Sequence, residues 1–274
     1  MLPDLSFHAR VLLEVTLLAG VSAFLGTHIL DRKLTFLTHA LGHATFPGIA
    51  VAAALGVQLS VGGFVASCAV IGLLTLLTRH RQHRTHAMTG LLLAAGFALG
   101  TGITSAFLGN TARNLETFLV GQIVNVTDTD LLVTLSMLVV TATLTLTFHR
   151  RLMFSAFDPD SYRAAGHRTT STTALALVLV AATASVLASQ VGAILVVAFL
   201  VAAPSAARTI VRKPIAVLVV SWLLAESAGL AGATISEHVN VPTGPMITIM
   251  LGAITVAAVL RNAWVSGRIV PSRA

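Results

Sequence analysis

"ATFPGIAVAAALGVQLSVGGFVASCAVIGLLTLLT", residues 44–78, runs for 35 positions without an Asp, Glu, Lys, Arg or His. A helix crosses the hydrocarbon core of a bilayer with about 20 apolar residues, so the stretch holds two spans. They divide where the sequence turns polar and glycine-rich, at Gln58 to Gly63. A second uncharged run, Thr169 to Ala207, divides in the same way at Ser189 to Gly192. A membrane β-barrel would instead show segments of about ten residues with alternating polarity. These unbroken aliphatic stretches are helices.

The whole chain agrees. Of its 274 residues 55% are hydrophobic and 10% charged, against about 25% charged in soluble domains, and the mean hydropathy is +0.89. The fold class is an all-α polytopic integral membrane protein, with about nine (eight to ten) transmembrane helices. The nine apolar segments are 8–29, 38–57, 61–78, 87–109, 130–148, 172–189, 192–208, 214–233 and 244–260. Arg10 and Glu14 near one end of the first leave an alternative of eight spans with a re-entrant piece. No proline-rich linker, low-complexity tract or charge block divides the chain, so residues 1–274 read as a single transmembrane domain. The start, "MLPDLSFHAR", lacks a basic leader region and cleavage site, so the first segment is taken as retained.

Basic residues in short loops stay cytoplasmic, and here they fall on one side. "RHRQHR" (79–84), Arg150, Arg151, Arg163 and Arg168 in loop 149–171, the turn with Arg208, Arg212 and Lys213, and the tail with Arg261, Arg268 and Arg273 all belong to it. The opposite loops, 110–129, 189–192 and 234–243, hold only Arg113 among basic residues, with Glu116, Asp128, Glu237 and His238. Nine spans place the N-terminus outside and the C-terminus in the cytoplasm. The net charge of +7 and pI near 11.2 come from the basic loops, which account for topology and contact with membrane lipid and not for nucleic acid. The three histidines of "RHRQHRTH" (79–86) read as part of that lipid-facing loop. Cys68, the one cysteine, excludes an internal disulfide and reads as a packing residue.

The absences narrow function. No G-x-x-x-x-G-K-[ST] occurs, so ATP hydrolysis is expected on a separate chain, and no H-E-x-x-H or hydrolytic constellation suggests an enzyme. Polar groups inside a polytopic protein tend to face its interior and mark a transport path. The placed groups here are His28, His39, His43 and Glu226, with Asp128, Asp130, Glu237 and His238 nearer the outer surface. His39 and His43, four apart, share one helix face, the spacing by which two imidazoles bind one transition metal. Pro47 has no N–H for the His43 carbonyl and so frees it, beside the permissive Gly48. The competing reading makes both histidines hydrogen-bonded core residues and Pro47 a kink. For Glu226, a ligand role and an incidental place near a span end stand equally. The glycines at 48, 56, 90, 96, 100 and 102 read as close helix contacts.

Five stretches carry a family resemblance in the same order along the chain. "RKLTFLTHALGHATFPGIAVAAALG" (32–56) resembles a segment with the motif D-A-x-S-H-A-x-x-P-G in permeases of ATP-binding-cassette importers for manganese, zinc and iron. "FLVGQIVNVTDTDLL" (118–132), "FDPDSYRAAG" (157–166), "VGAILVVAFLVAAPSAAR" (191–208) and "VNVPTGPMI" (239–247) are similar to later stretches of that family. The resemblance implies a fold related to the type II importer permeases, a bacterial cytoplasmic membrane location and no tightly bound cofactor. It implies Zn2+ or Mn2+, or iron, as the transported substrate. The implied partners are a cytoplasmic ATP-binding subunit, an extracellular metal-binding lipoprotein docking at loops 110–129 and 234–243, and a second copy of the chain in a homodimer.

Carried over by residue, His43 lies at the metal pathway and position 39 supplies its partner. The family has Asp where this chain has His39, and Ser where it has Gly42, which leaves the metal open, since imidazole suits zinc and carboxylate suits manganese. Glu226 would restore the missing negative charge if its helix faced the same cavity. Residues 157–170 are expected to include a short helix docking on the ATPase. Asp158 is its N-cap, Pro159 its first residue, Tyr162 its aromatic anchor, and Ala165 and Gly166 belong to the docking segment. Two further classes stay open: a secondary transporter exchanging a cation for protons, whose inverted repeats are not evident here, and a permease for a chelate such as a siderophore or cobalamin.

Overall fold

The computed structural model describes residues 7–78, 85–107, 123, 126–239 and 241–267. The basic stretch 79–84, most of the loop 110–129 with Arg113 and Glu116, and the tail arginines 268 and 273 lie outside them, as do residues 118–122, 124 and 125 of the 118–132 motif. Among the described residues the regular elements are all helical, and eight helices are long and apolar enough to span a membrane. The ninth expected segment, 38–57, is a pair of ten-residue helices.

The first segment is a full span. α1 (Phe7–Asp31) packs against the helices we number α6 (Asp128–Thr147) and α12 (Pro214–Val239). Its charged residues are accommodated by partners: Arg10 pairs with Asp128 at 3.1 Å, and the fully buried Glu14 accepts a 2.7 Å hydrogen bond from Thr134. Thr134 also reaches Gln190 at 3.3 Å. A lone carboxyl in an apolar interior costs several kcal/mol unless hydrogen-bonded, and neighbouring spans supply that bond. Sequence periodicity along α1 could not show it.

Beyond α1 come α2 (Thr35–Ala44), α3 (Phe46–Leu55), α4 (Leu59–Thr78) and α5 (Thr85–Phe107). After α6 follow two short helices, α7 (His149–Phe157) and α8 (Pro159–Ala164), then α9 (Thr169–Val191). The next span is α10 (Ala193–Val197), a π-helical turn (Ala198–Ala202) and α11 (Ala203–Ile210), ahead of α12 and α13 (Thr243–Gly267).

Polar contacts gather at the two ends of the bundle, sorted as the loop charges require. At one end His8 meets Glu237 at 2.5 Å, beside the Arg10–Asp128 pair. Thr127 and Asp130 form a capping box at the start of α6, with the Thr127 N–H donating to Asp130 at 2.9 Å, and His238 contacts the Thr234 carbonyl at 2.8 Å. At the other end Arg208 pairs with Asp31, and Arg32 donates to the Leu152 carbonyl at 3.1 Å and to Ser155 at 2.7 Å. The basic-loop ends therefore cluster on a single face. Asp128, Asp130, Glu237 and His238 are committed to holding helix ends.

Small residues set how closely the spans approach. Gly48 on α3 and Gly62 on α4 face each other, and a Cβ on either would strike the other's backbone. On α5, a Cβ at Gly96 would lie 2.6 Å from Ala44 Cα. Gly56 and Gly102 have nothing within 4 Å of such a carbon, so neither is a contact glycine; Gly56 closes α3 with φ 67°. Gly96→Val is expected to cost about 1–3 kcal/mol by overpacking, while Gly102→Val on the same helix leaves stability unchanged. Thermal unfolding of the purified variants checks the contrast. Cys68 is exposed, so it lies on the outer surface of the bundle and is not a core packing residue.

Candidate translocation site

The break between α2 and α3 makes the site. Helix α2 ends at Thr45, whose N–H bonds the Leu41 carbonyl at 3.2 Å. Helix α3 then restarts with Pro47 in its first turn, where a missing N–H costs nothing. Pro47 thus begins a second helix where sequence alone placed it inside one continuous helix. Pro47 has no N–H for the His43 carbonyl, which meets the Thr45 N–H of the cap instead of the partner a continuous helix would provide. The Thr45 hydroxyl at the junction is buried and has no hydrogen-bond partner.

Three neighbours hold the break. Gly96 lets α5 lie against Ala44, Phe46 stacks on Phe97 with centroids 6.1 Å apart, and Gly42 faces Ala193 of α10. Irregular backbone at membrane depth is tolerated where protein or a water-filled path encloses it.

On α2 the His39 and His43 rings lie edge to face, 5.1 Å between centroids. His43 also meets the Phe97 ring at 6.2 Å. His43 is half-buried and His39 exposed in the single chain. Neither has a side-chain hydrogen bond to a neighbouring helix among the described residues, so the core-histidine reading loses its main support.

Glu226 does not join them. Its carboxylate accepts a 2.8 Å hydrogen bond from Thr16 of α1, and among the described residues no group of three or more His, Cys, Asp or Glu is placed to hold a metal ion. Helix α2 packs mainly on α5, α9 and α10, whereas Glu226 sits on α12, which packs on α1, α11 and α13, so within one chain Glu226 is not brought to the histidine pair.

The π turn 198–202 has no counterpart in the sequence reading. Pro204, in the first turn of α11, cannot donate to the helix behind it. The carbonyls of the wide turn find side chains instead: Ser22 donates to Phe199 and Thr255 to Ala202, the latter at 3.1 Å. The only sequence signal was "AAPSAA", a proline inside an apolar span.

On the basic face, α8 forms where the sequence placed it. Asp158 accepts from the Ser161 N–H at 2.9 Å, and Pro159 opens the helix. Those bonds hold the Asp158 carboxyl below the usual carboxylate range. The cap is therefore intact at neutral pH and is lost only as acid protonates it. Tyr162 is buried, 5.3 Å from the Phe154 ring and 4.9 Å from His167. It anchors the helix to its own chain. Asp158, Pro159, Ala165 and Gly166 are exposed, and Gly166 turns the chain at φ 81°.

Residues 4–262 match the ABC 3 transport family. The chain is 29% identical over 258 residues to the chelated iron transport system membrane protein YfeD of Yersinia pestis, covering 93% of this chain and 86% of that one. It is 24% identical over 245 residues to the manganese transport system membrane protein MntC of Halalkalibacterium halodurans, covering 89% and 84%. Among solved structures, PsaBC from Streptococcus pneumoniae in complex with Fab superposes with a TM-score of 0.84 at 24% identity, over 94% of this chain and 92% of that one. An inward-facing putative metal-chelate type ABC transporter gives 0.69 at 16% identity, over 92% and 85%. These two likenesses establish the fold.

Proposed function

The chain belongs to the ABC 3 transport family, and from that premise we propose that it is the membrane-spanning permease of an ATP-driven importer for a divalent transition metal. As a permease subunit it is a multi-pass membrane protein and not an enzyme. The relatives named for manganese and chelated iron transport support metal as the cargo. A separate ATPase on the basic face, an external binding protein on the opposite face and a second permease copy complete the machine. The membership leaves a proton-coupled secondary transporter without support.

The observation that carries the reading is the His39–His43 pair at the α2–α3 break. Two imidazoles with no carboxylate beside them favour a late first-row ion, zinc before manganese. Two ligands are too few for a zinc site, which takes about four donors. His39 is exposed in the single chain, so a second copy meeting this face brings a second pair. A bare ion is the expected cargo, since paired imidazoles bind a naked cation more directly than a chelate.

The test is uptake of zinc and manganese by the complete importer in reconstituted vesicles. His39→Asp exchanges a neutral nitrogen for a charged oxygen donor. Transport is expected to continue while the zinc-to-manganese ratio falls roughly tenfold, the scale of one ligand contact of about 1.4 kcal/mol. An unchanged ratio would remove position 39 from the metal path.

A further inference from the structure

At the basic end of the bundle, α1, α6, α7, α11 and α12 enclose a cavity of about 430 Å³. It takes no part in the translocation site. Its walls are mostly apolar, with Phe24, Met153 and Leu218 among them. Leu146 and Ile215, which also line it, are 59% and 76% exposed in the single chain. The cavity therefore opens sideways toward lipid, at the level where the spans end.

Its floor is polar and incompletely paired. Asp31, with a side chain only 5% exposed, gives one carboxylate oxygen to Arg208, and its Oδ2 has no partner. His28, also 5% exposed, has an unpartnered Nδ1, with the His149 ring 5.9 Å away. Leaving such atoms buried and unpaired is costly, so the cavity calls for an occupant with a hydrogen-bond donor for Asp31 Oδ2. His28, Asp31 and His149 share the space but do not form a three-ligand metal group.

The charges on this floor decide the ligand. Of the charged groups here, Asp31 and Arg208 line the cavity, one negative and one positive, while Arg32 is turned away to Leu152 and Ser155; the lining pair complements a zwitterion. The apolar walls and lateral mouth call for acyl chains attached to it. We propose that this cavity binds an aminophospholipid, its primary ammonium donating to Asp31 Oδ2 and its phosphate accepting from Arg208. A phosphatidylcholine headgroup has the phosphate but no N–H to donate. A phosphatidylglycerol headgroup has the phosphate and hydroxyls but no cation to set against the Asp31 carboxylate. Phosphatidylethanolamine matches both demands.

The proposal is independent of which metal is carried and of the His39–His43 reading. Native mass spectrometry of the purified permease, titrated in turn with phosphatidylethanolamine, phosphatidylcholine and phosphatidylglycerol of identical chains, tests it. Retained phosphatidylethanolamine is expected to exceed the other two roughly tenfold, the worth of one charge-assisted hydrogen bond. Leu218→Trp fills the apolar wall without touching the polar floor, and should bring phosphatidylethanolamine down to the phosphatidylcholine level. Equal retention of the first two lipids, preference for phosphatidylglycerol, or full retention by the tryptophan variant would each overturn the assignment.

Discussion

Uptake of the cognate metal is expected to fall to background when His43 is replaced by alanine, with the permease still inserted, folded and bound to its ATPase. His43 sits where three features of the break converge: an imidazole, a carbonyl that Pro47 cannot pair, and the Phe97 ring that limits where the imidazole points. Removing the imidazole leaves the metal one donor fewer per chain, two fewer in a pair. Each lost ligand in such sites costs a tenfold or larger factor, as even outer-sphere partners cost about 10–100-fold. The residue is only half-buried and has no hydrogen bond to a neighbouring helix among the described residues, so the fold should lose little. Uptake measured beside detergent-extracted yield and melting temperature separates the outcomes. Wild-type transport by the alanine variant would make the pair a packing feature.

How much of this was legible before the fold depends on which signal each feature leaves in a sequence. Apolar length and loop charge are one-dimensional, and they gave nine segments and two faces that the contacts Asp31–Arg208 and Arg10–Asp128 respect. The cap and proline of α8 are local chemistry, readable from Asp158 and Pro159. What stayed hidden is relational. Glu14 looked like a flaw in the first span, because nothing in its own helix announces that Thr134, 120 residues later, will bond it. For Glu226 a ligand role and an incidental one stood equally for the same reason, with its partner Thr16 210 residues away. The exposure of Cys68 follows from which face of α4 meets α3 and α9. An almost uniformly apolar helix carries little record of that choice, since lipid and protein interiors are about equally apolar. The helix break at Thr45 was half legible: Pro47 marked a disturbance but not on which side the chain would yield.

The second large effect is expected at the far end of the molecule. Replacing Ala165 by glutamate should abolish co-purification of the ATPase and with it uptake, while leaving the permease as stable as before. Ala165 is exposed just past the last turn of α8, and surface changes of this kind usually alter stability by no more than about 0.5 kcal/mol. The segment around it is held firmly enough to transmit force. Tyr162 is packed between Phe154 and His167, Asp158 caps the helix, and Arg32 ties the preceding helix α7 to the end of α1 through Leu152 and Ser155. The neighbouring Asp31 in turn grips Arg208 at the end of α11, just beyond the π turn. A push on α8 thus reaches both α1 and α11 through short polar links. Tyr162→Ala offers the contrasting failure: removing its buried ring should loosen α8 itself, lowering thermal stability together with ATPase binding. Loss of binding without loss of stability is the signature that separates a docking surface from a structural one, and normal ATPase retention by Ala165→Glu would move the docking site elsewhere on the basic face.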